Sequence, residues 1–205
     1  KGSEGLPLFF IKDIPPKVSV PLAVDRPEIY YGQETTEYVL SNTKLEEFDY
    51  PKGSDNVFTS YHGSGGIPIR GFGRKLLIAL RLKDWQILFT NYLKPDSRLM
   101  IYRSVQERVP KIAPFLLYDP DSYLVVNEGR LYWIRDAYTT TNMYPYSTRT
   151  AEGYNYIRNS LKITVDAYNG DVAFYVIDDR DPLIQTYHKI SPDLFKDISE
   201  MPEGL

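Results

Sequence analysis

Cysteine is absent from the 205-residue chain, and histidine occurs at only two positions, His62 and His188. The lack of cysteine excludes disulfide bonds, a thiol nucleophile and thiolate metal ligands. A multi-histidine metal centre or a histidine-based triad would have to use one of the two histidines, and neither lies at a recognisable ligand spacing. The sequence therefore predicts no metal site and no cofactor.

Long apolar runs are also missing. No run reaches the roughly 18 residues that are needed to cross a bilayer, and the N-terminus lacks the pattern of a signal peptide. The chain as given is therefore expected to be soluble. Hydrophobic residues make up 42% and charged residues 25% of the sequence, which is typical of a globular protein and argues against wholesale disorder.

Charge is unevenly distributed along the chain. The net charge is −3, but residues 70–111 hold ten Lys or Arg against three Asp or Glu, which gives +7 there and −10 in the remainder. A basic segment can meet anionic lipid headgroups, an anionic envelope polymer or the acidic half of the same protein. The overall acidity and the lack of a known motif argue against a nucleic-acid partner.

Tyrosine is the abundant aromatic residue, since eighteen Tyr stand beside nine Phe and two Trp. A Tyr ring packs on apolar surface while its hydroxyl takes water or a hydrogen-bond partner. Two interpretations remain open at this point: a composition typical of β-sheet, and a binding surface lined with Tyr.

The clearest structural pattern runs from Leu161 to Asp178. Two alternating runs flank Asn169-Gly170, a dipeptide that tolerates the positive φ angles of a type I′ turn. The pattern predicts a hairpin with a two-residue loop and one core face, and its second face is expected to be partly covered. The predicted pairs place Ala167 opposite Val172, Val165 opposite Phe174, and Ile163 opposite Val176.

The remaining patterns predict an α+β fold, in which an antiparallel sheet of hairpins has helices packed on one side. Residues 123–126 and 130–135 are predicted to form a second hairpin with a three-residue loop. Before it, residues 119–122 are predicted to form a turn. Residues 1–28 contain five prolines and predict an extended segment. Residues 29–205 are predicted to form a single α+β domain.

Apolar periodicity predicts three helices. The first covers 72–93 and is broken near Lys83-Asp84. The second begins at Asp96 or Ser97, and Pro110 and Pro114 end or kink it. A closing helix follows Asp181, which is expected to cap it because a proline comes next. Residues 63–66 are glycine-rich, but no Lys-Ser or Lys-Thr follows them, so they predict a connector rather than a phosphate loop.

Several phrases of the chain are distinctive: GRLYWIRDAYTTTN at 129–142, YPYS at 144–147, NYIRNS at 155–160 with VDAY at 165–168, ERV at 107–109 with IAPF at 112–115, and EMP at 200–202. These phrases resemble those of the uncharacterised protein family 0182, a family of bacterial multi-pass membrane proteins. The similarity covers most of the chain from about residue 26 onward.

The resemblance implies a location rather than a chemistry. It implies a protein of the cell membrane whose transmembrane helices are absent from this chain. It also implies a large extracytoplasmic domain, of which this chain is a fragment. The family has no established activity, cofactor or catalytic residue that could be carried over.

The first functional hypothesis is a non-enzymatic module that binds an envelope polymer or a partner protein. Residues 136–147 crowd hydroxyl, amide and aromatic groups into one predicted loop, and loops on rigid strands commonly carry binding sites. The rings of Tyr138, Tyr144 and Tyr146 could instead pin this loop to the sheet. The candidate residues are Asp136, Tyr138, Thr139, Asn142, Tyr144, Asn155, Arg158 and Asp166.

The second hypothesis is an envelope enzyme that uses Asp136 and Asp166, because acid/base or glycosidic chemistry needs two carboxyl groups within about 5 to 10 Å. Asp136 could equally cap a loop, and Asp166 could be an ordinary outward carboxylate. Enzymatic activity is left open. Arg158 is expected to form an internal ion pair, with Asp136 as one possible partner.

Two further expectations concern the end of the sheet. Asp178, Asp179 and Asp181 could gather a calcium ion, although helix capping already explains Asp181 and the EF-hand spacing is absent. Residues 136–147 and 155–160 are expected to converge at the end of the sheet away from Asn169-Gly170, which is where a site is predicted.

Overall fold

The computed structural model describes residues 9–205, and these form two compact units. The first unit contains the described residues up to Glu34 together with Ser104–Leu205, and the second contains Thr35–Arg103. The domain division at residue 29 that the sequence predicts stays a prediction. The extended segment predicted for residues 1–28 lies outside the described residues over its first eight positions.

Within residues 9–205 the chain forms twelve strands, four α-helices and one 3₁₀ helix. The strands are β1 Ile11–Lys12, β2 Lys17–Val18, β3 Val39–Ser41, β4 Glu47–Lys52, β5 Asp55–Thr59, β6 Ile67–Pro68, β7 Arg98–Met100, β8 Leu117–Asn127, β9 Arg130–Thr141, β10 Tyr156–Asp166, β11 Val172–Val176 and β12 Phe195–Asp197. The helices are α1 Gly71–Leu82, α2 Gln86–Phe89, α3 Val105–Ile112, α4 Pro182–Ile190 and the 3₁₀ helix Ile198–Glu200. The predicted α+β class is confirmed.

The first unit is built on a five-stranded sheet in the order β12-β11-β10-β9-β8. All its pairs are antiparallel except β11–β12, which is parallel. One face carries the apolar side chains of Leu161, Ile163 and Val165, which are fully buried. Helices α3 and α4 supply the other side of this core, which also contains Val105, Val109, Ala113, Phe174, Ile184 and Phe195.

The central hairpin forms as predicted, but its register is different. Leu161 pairs with Val176, Ile163 with Phe174 and Val165 with Val172. The predicted pairing was therefore wrong by two residues. A shift of two keeps every side chain on its own face, so the predicted core face is confirmed. The second face is also partly covered, because Tyr175 is buried there.

The register differs because the loop has four residues, Ala167–Gly170, instead of two. The Asp166 carboxylate accepts the backbone N–H groups of Tyr168 at 2.8 Å and Asn169 at 2.9 Å. The Gly170 N–H then closes the loop on the Asp166 carbonyl at 2.8 Å. Of the four loop residues, only Gly170 has a positive φ, +75°. The hydrogen bonds from the backbone two and three residues after Asp166 therefore stabilise a four-residue loop in place of the predicted two-residue type I′ turn.

The second hairpin has the loop that was predicted for the first. Asn127 pairs with Arg130, so the loop contains only Glu128 and Gly129. Both have positive φ, +48° and +76°, as a type I′ turn requires. The predicted three-residue loop was too long by one residue. Glu128 adopts a left-handed conformation, which is uncommon for glutamate and therefore was not predicted.

Strand β9 is longer than predicted. It continues through Thr141 and pairs with β10 along most of its length. The loop predicted to begin at Asp136 therefore begins only after Thr141. The predicted turn at 119–122 lies inside β8 as an irregularity, since the pairing with β9 breaks off at Tyr118 and resumes at Ser122.

In the second unit, α1 and α2 confirm the helical segment and its break. Lys83 ends α1 in a left-handed conformation with φ +57°. The predicted start of the second helix was wrong, because residues 98–100 form β7 between β3 and β6, and the helix begins only after Ser104. Leu99 pairs with both Leu40 and Ile67, so pairing from distant strands overrides the local helical pattern.

The glycine-rich segment 63–66 is a connector that is held in place by the side chain of Arg98. The Arg98 guanidinium donates to the carbonyl oxygens of Ser64 at 2.5 Å, of Gly66 at 3.2 Å and of Gly65. Carbonyl oxygens face this arginine, which is the opposite of the N–H cradle that a phosphate needs.

Candidate functional site

The Asp181 carboxylate joins β9, β10 and α4 at one end of the first unit's sheet. It is fully buried, with 0% of the residue exposed. It accepts hydrogen bonds from the hydroxyls of Thr139 and Tyr156, the latter at 2.7 Å, and from Ser160 Oγ at 2.5 Å. It also caps α4 by accepting the Leu183 N–H at 3.0 Å. The predicted cap is confirmed, and the hydroxyl cluster around it was not predicted.

Burial by itself would raise the pKa of Asp181, because it penalises the charged form. The donors from Ser160, Thr139, Tyr156 and the Leu183 N–H outweigh that effect, so the pKa of Asp181 lies below its usual value. Burial and the hydrogen bond to this carboxylate raise the pKa of Tyr156. The cluster thus favours the charged form of this carboxylate, which accepts hydrogen bonds from four donors.

Asp136 and Asp166 do not form the predicted carboxylate pair. Asp136 lies opposite Lys162 and Asp166 opposite Tyr132, so the two acids are four strand positions apart, about 13 Å along the sheet. Each is neutralised by its own cation: Lys162 Nζ lies 2.7 Å from Asp136, and Arg130 binds Asp166. This offset exceeds the roughly 5 to 10 Å that acid/base pairs use, so Asp136 and Asp166 are not placed as such a pair.

Arg158 forms the predicted internal ion pair, but with Asp178 rather than Asp136. Its Nε lies 2.5 Å from Asp178 Oδ2. The hydrogen bonds with Tyr156 and Asp178 raise the pKa of Arg158. The calcium hypothesis also fails, because Asp178 is engaged by this arginine and Asp181 by the hydroxyl cluster. Among the described residues no group of three or more His, Asp or Glu side chains is placed to hold a metal ion.

The connection from β9 to β10 is the segment 142–155, which we call the aromatic loop. The side chain of Asn155 organises it from within. Its Oδ1 accepts the Tyr144 N–H at 3.0 Å, and its Nδ2 donates to the carbonyls of Tyr144 at 2.8 Å and Ser147 at 3.1 Å. Arg149 donates to the Asn142 carbonyl at 3.3 Å. This loop is therefore internally hydrogen bonded rather than open.

Two aromatic residues of this loop have different environments. The Tyr144 ring stacks on the Tyr156 ring with a centroid distance of 5.2 Å and an interplanar angle of 19°, which connects the loop to the Asp181 cluster. Tyr146 is fully exposed and has a left-handed φ of +57°. Met143, in the same loop, is 82% exposed. The aromatic loop therefore presents apolar side chains on a fixed frame.

The structure brings together one part of the predicted site. Thr139 and Arg158 are directly paired on neighbouring strands, and Asn155 and Tyr144 lie in the loop that follows. This confirms the predicted convergence at the end of the sheet away from Asn169-Gly170. Asp136 and Asp166 form ion pairs within the sheet. The Tyr138 hydroxyl donates to the Asp119 carboxylate at 3.1 Å. Asn142 contributes a carbonyl oxygen rather than its side chain.

Tyr156, Ser160, Met143 and Tyr146 were absent from the predicted list of site residues, although all four lie in the segments 136–147 and 155–160 that were predicted to converge. Ser160 lies where the β9–β10 register shifts, and an irregularity of this kind leaves no mark in the local sequence. The sequence carried one signal for this cluster, which is Asp181 directly before Pro182. That dipeptide indicates a helix cap, but it does not indicate that three hydroxyls from the strands donate to the same carboxylate.

The whole chain, residues 1–205, matches the model of the Uncharacterised protein family (UPF0182). A UPF0182 protein of Pelotomaculum thermopropionicum is 52% identical over 202 residues, which cover 98% of this chain and 22% of that relative. One of Desulforamulus reducens is 53% identical over 206 residues, which cover 100% of this chain and 22% of that relative. The chain thus spans 22% of the length of these curated relatives. No solved structure matches it at significant similarity.

The helices of the described residues are too short or too polar for a bilayer. None of them combines the length and the hydropathy that a membrane-spanning helix needs.

Proposed function

Because this chain belongs to UPF0182, a family described only as uncharacterised, we propose that it is a non-enzymatic binding module of a larger membrane protein. The module lies on the extracytoplasmic side of the cell membrane and binds envelope material. The aromatic loop is its contact surface. The observation that carries this proposal is an exposed aromatic and apolar loop seated on a fully hydrogen-bonded carboxylate cluster.

A rigid frame supports binding because it lowers the entropy lost when a ligand is captured. Asn155 fixes the loop by three hydrogen bonds, and the Tyr144–Tyr156 stack joins it to β10. Tyr146 holds a backbone conformation that costs a non-glycine residue about 1 kcal/mol or more.

The exposed chemistry suits an extended polar polymer. Aromatic ring faces pack on the apolar faces of sugars, and amide, hydroxyl and guanidinium donors satisfy their oxygen atoms. Tyr146 and Met143 supply the apolar surface, and Arg149 supplies an exposed donor. Tyr and Arg are also the residues that dominate protein interfaces, so a partner protein is the competing ligand.

Tyr146→Ala is expected to weaken binding to purified peptidoglycan sacculi by about tenfold, because truncating a central aromatic contact commonly costs more than 1 kcal/mol. The thermal unfolding midpoint is expected to stay unchanged, since the side chain is fully exposed. Co-sedimentation of the chain with the sacculi measures the affinity. Tyr92→Ala, at a half-exposed tyrosine of the second unit, is the matched control and should bind like the parent chain.

Failure of the parent chain to sediment with sacculi would reject the polymer as ligand. Equal losses for Tyr146→Ala and Tyr92→Ala would reject the aromatic loop as the contact surface. Retention of a single envelope protein that depends on Tyr146 would instead assign the loop to a protein partner.

The proposed location is tested on the full-length protein. In spheroplasts, added protease is expected to cleave this region without detergent while a cytoplasmic marker protein stays intact. Immunoblotting with an antibody against the 205-residue chain follows the cleavage. Protection of this region until detergent is added would place it on the cytoplasmic side and contradict the proposal.

A further inference from the structure

A cavity of about 460 Å³ lies within the second unit. It opens to solvent and is lined by the first turn of α1, by the residues that precede this turn, by Leu88 and by residues 93–95. Its apolar lining comes from Ile69, Phe72, Leu88, Leu93 and Pro95. The volume falls in the range of small-molecule sites, which are mostly apolar with a few polar groups that orient the ligand.

The polar groups of this cavity are all of one sign. Arg70, Lys75 and Lys94 line it, and within the described residues none of the three forms an ion pair with a carboxylate. Lys94 Nζ donates to Asn42 Oδ1 at 2.9 Å. The Asp96 carboxylate interacts electrostatically with Lys94 and Arg70. Three cations against one acid leave this cavity with an uncompensated positive charge.

The backbone at the same place adds to the positive potential. Helix α1 has no side-chain cap at Arg70 and no acidic residue in its first turn, although an acid there would complement the helix dipole. A Cβ built on Gly71 or Gly73 meets no atom within 4 Å, so there is open space beside the first turn. The cavity and its three cationic side chains carry the inference, and the helix end strengthens the field inside it.

An apolar wall beside an excess of positive charge selects a ligand with both an apolar and an anionic part. We propose that this cavity binds a single-chain amphiphilic anion, with its alkyl chain against Phe72 and Leu88 and its phosphate or carboxylate head against Arg70, Lys75 and Lys94. A free inorganic anion would leave the apolar wall in water, and a neutral amphiphile would leave the cations unpaired. The proposal does not depend on the aromatic loop.

Isothermal titration calorimetry of the 205-residue chain with decyl phosphate, below its critical micelle concentration, tests the proposal. Decyl phosphate is expected to bind saturably, at least tenfold more tightly than inorganic phosphate or decyl maltoside. Competition by phosphatidylglycerol vesicles separates two sources of the same chemistry. Displacement by vesicles identifies a lipid headgroup in a bilayer as the source, and its absence identifies a free amphiphile.

Matched variants locate the site. Lys75→Ala is expected to weaken decyl phosphate binding about fivefold through loss of a charge-assisted contact, whereas Lys52→Ala removes the same charge from an exposed strand of the same unit and should have no effect. Phe72→Ala is expected to weaken binding about tenfold through lost apolar contact. Phe89→Ala serves as its control, because Phe72 is 71% and Phe89 80% exposed but only Phe72 lines the cavity.

Four results would overturn the proposal. They are absence of saturable binding, equal binding of inorganic phosphate, equal binding of decyl maltoside, and equal losses in the variants and their controls. Circular dichroism of every variant separates loss of the site from loss of the fold.

Discussion

Replacing Asp181 by alanine is expected to lower the free energy of unfolding of the first unit by about 4 kcal/mol. The substitution removes a helix cap, worth about 1 kcal/mol. It also leaves the hydroxyls of Thr139, Tyr156 and Ser160 without their charged acceptor, and hydrogen bonds to charged groups are worth about 1.5–3 kcal/mol each. The sum is not additive, because the three donors share two oxygen atoms.

Urea unfolding followed by tryptophan fluorescence measures this loss. Trp85 belongs to the second unit and Trp133 to the first, so a Trp85→Phe background makes the signal report on the first unit. Asp193→Ala, at an exposed acid that follows α4, is the matched control and should change the free energy of unfolding by less than about 0.5 kcal/mol. A similar small change for Asp181→Ala would mean that the cluster does not hold the strands to the helix.

The pH dependence of the contribution that Asp181 makes to stability follows from the direction of its pKa shift. The pKa of Asp181 is lower in the folded protein than the usual 3.8. Its stabilising contribution is therefore complete above that value and is lost as the pH falls through the folded pKa. The stability difference between the parent chain and Asp181→Asn should stay constant from about pH 5 to 8 and shrink only below about pH 4. A decline that begins near pH 6 would contradict a lowered pKa.

Gly170→Ala is expected to destabilise the first unit by about 3 kcal/mol or more. Gly170 has φ +75°, and a Cβ there would lie 2.5 Å from the Tyr31 ring. That ring cannot move aside cheaply, because Tyr31 is 1% exposed and the Arg108 guanidinium lies 4.7 Å from its centroid. A left-handed non-glycine residue costs about 1–2 kcal/mol before any clash is counted, and overpacking adds about 1–3 kcal/mol.

Gly153→Ala separates these two contributions. Gly153 has φ +92°, but a Cβ there meets nothing within 4 Å. This control should therefore lose only the conformational part, about 1–2 kcal/mol. Both variants are compared by urea unfolding in the Trp85→Phe background. Equal losses would show that Tyr31 does not press on the central hairpin loop.

The core face of the central hairpin could be predicted from the sequence, but its register could not. Alternation of apolar residues was enough to predict the core face of Leu161, Ile163 and Val165. It was not enough for the register, because Asp166 binds the backbone ahead of it and the N–H groups of Tyr30 and Tyr31 both donate to the Ala167 carbonyl. Those two tyrosines are more than a hundred positions away in the sequence, so no local pattern records their contribution.

The candidate site was also predicted only in part. Asp181 before Pro182 predicted a helix cap, and the sequences of 136–147 and 155–160 predicted where a site would form. The partner of Arg158 was open from sequence, and the loop predicted at Asp136 proved to be strand up to Thr141. Both outcomes depend on which residues face each other across β9 and β10, a choice made by pairing along the whole strands.

The sequence by itself determined the α+β class, the faces of the central strands, the cap of α4 and membership of UPF0182, because local periodicity, turn chemistry and shared phrases carry that information. Only the tertiary structure decided the hairpin register, the ion pairs of Asp136, Arg158 and Asp166, the hydroxyl cluster on Asp181 and the cationic cavity of the second unit. These features join side chains that are distant in the chain, and the packing energies that select among their alternative partners arise only when the strands and helices are assembled.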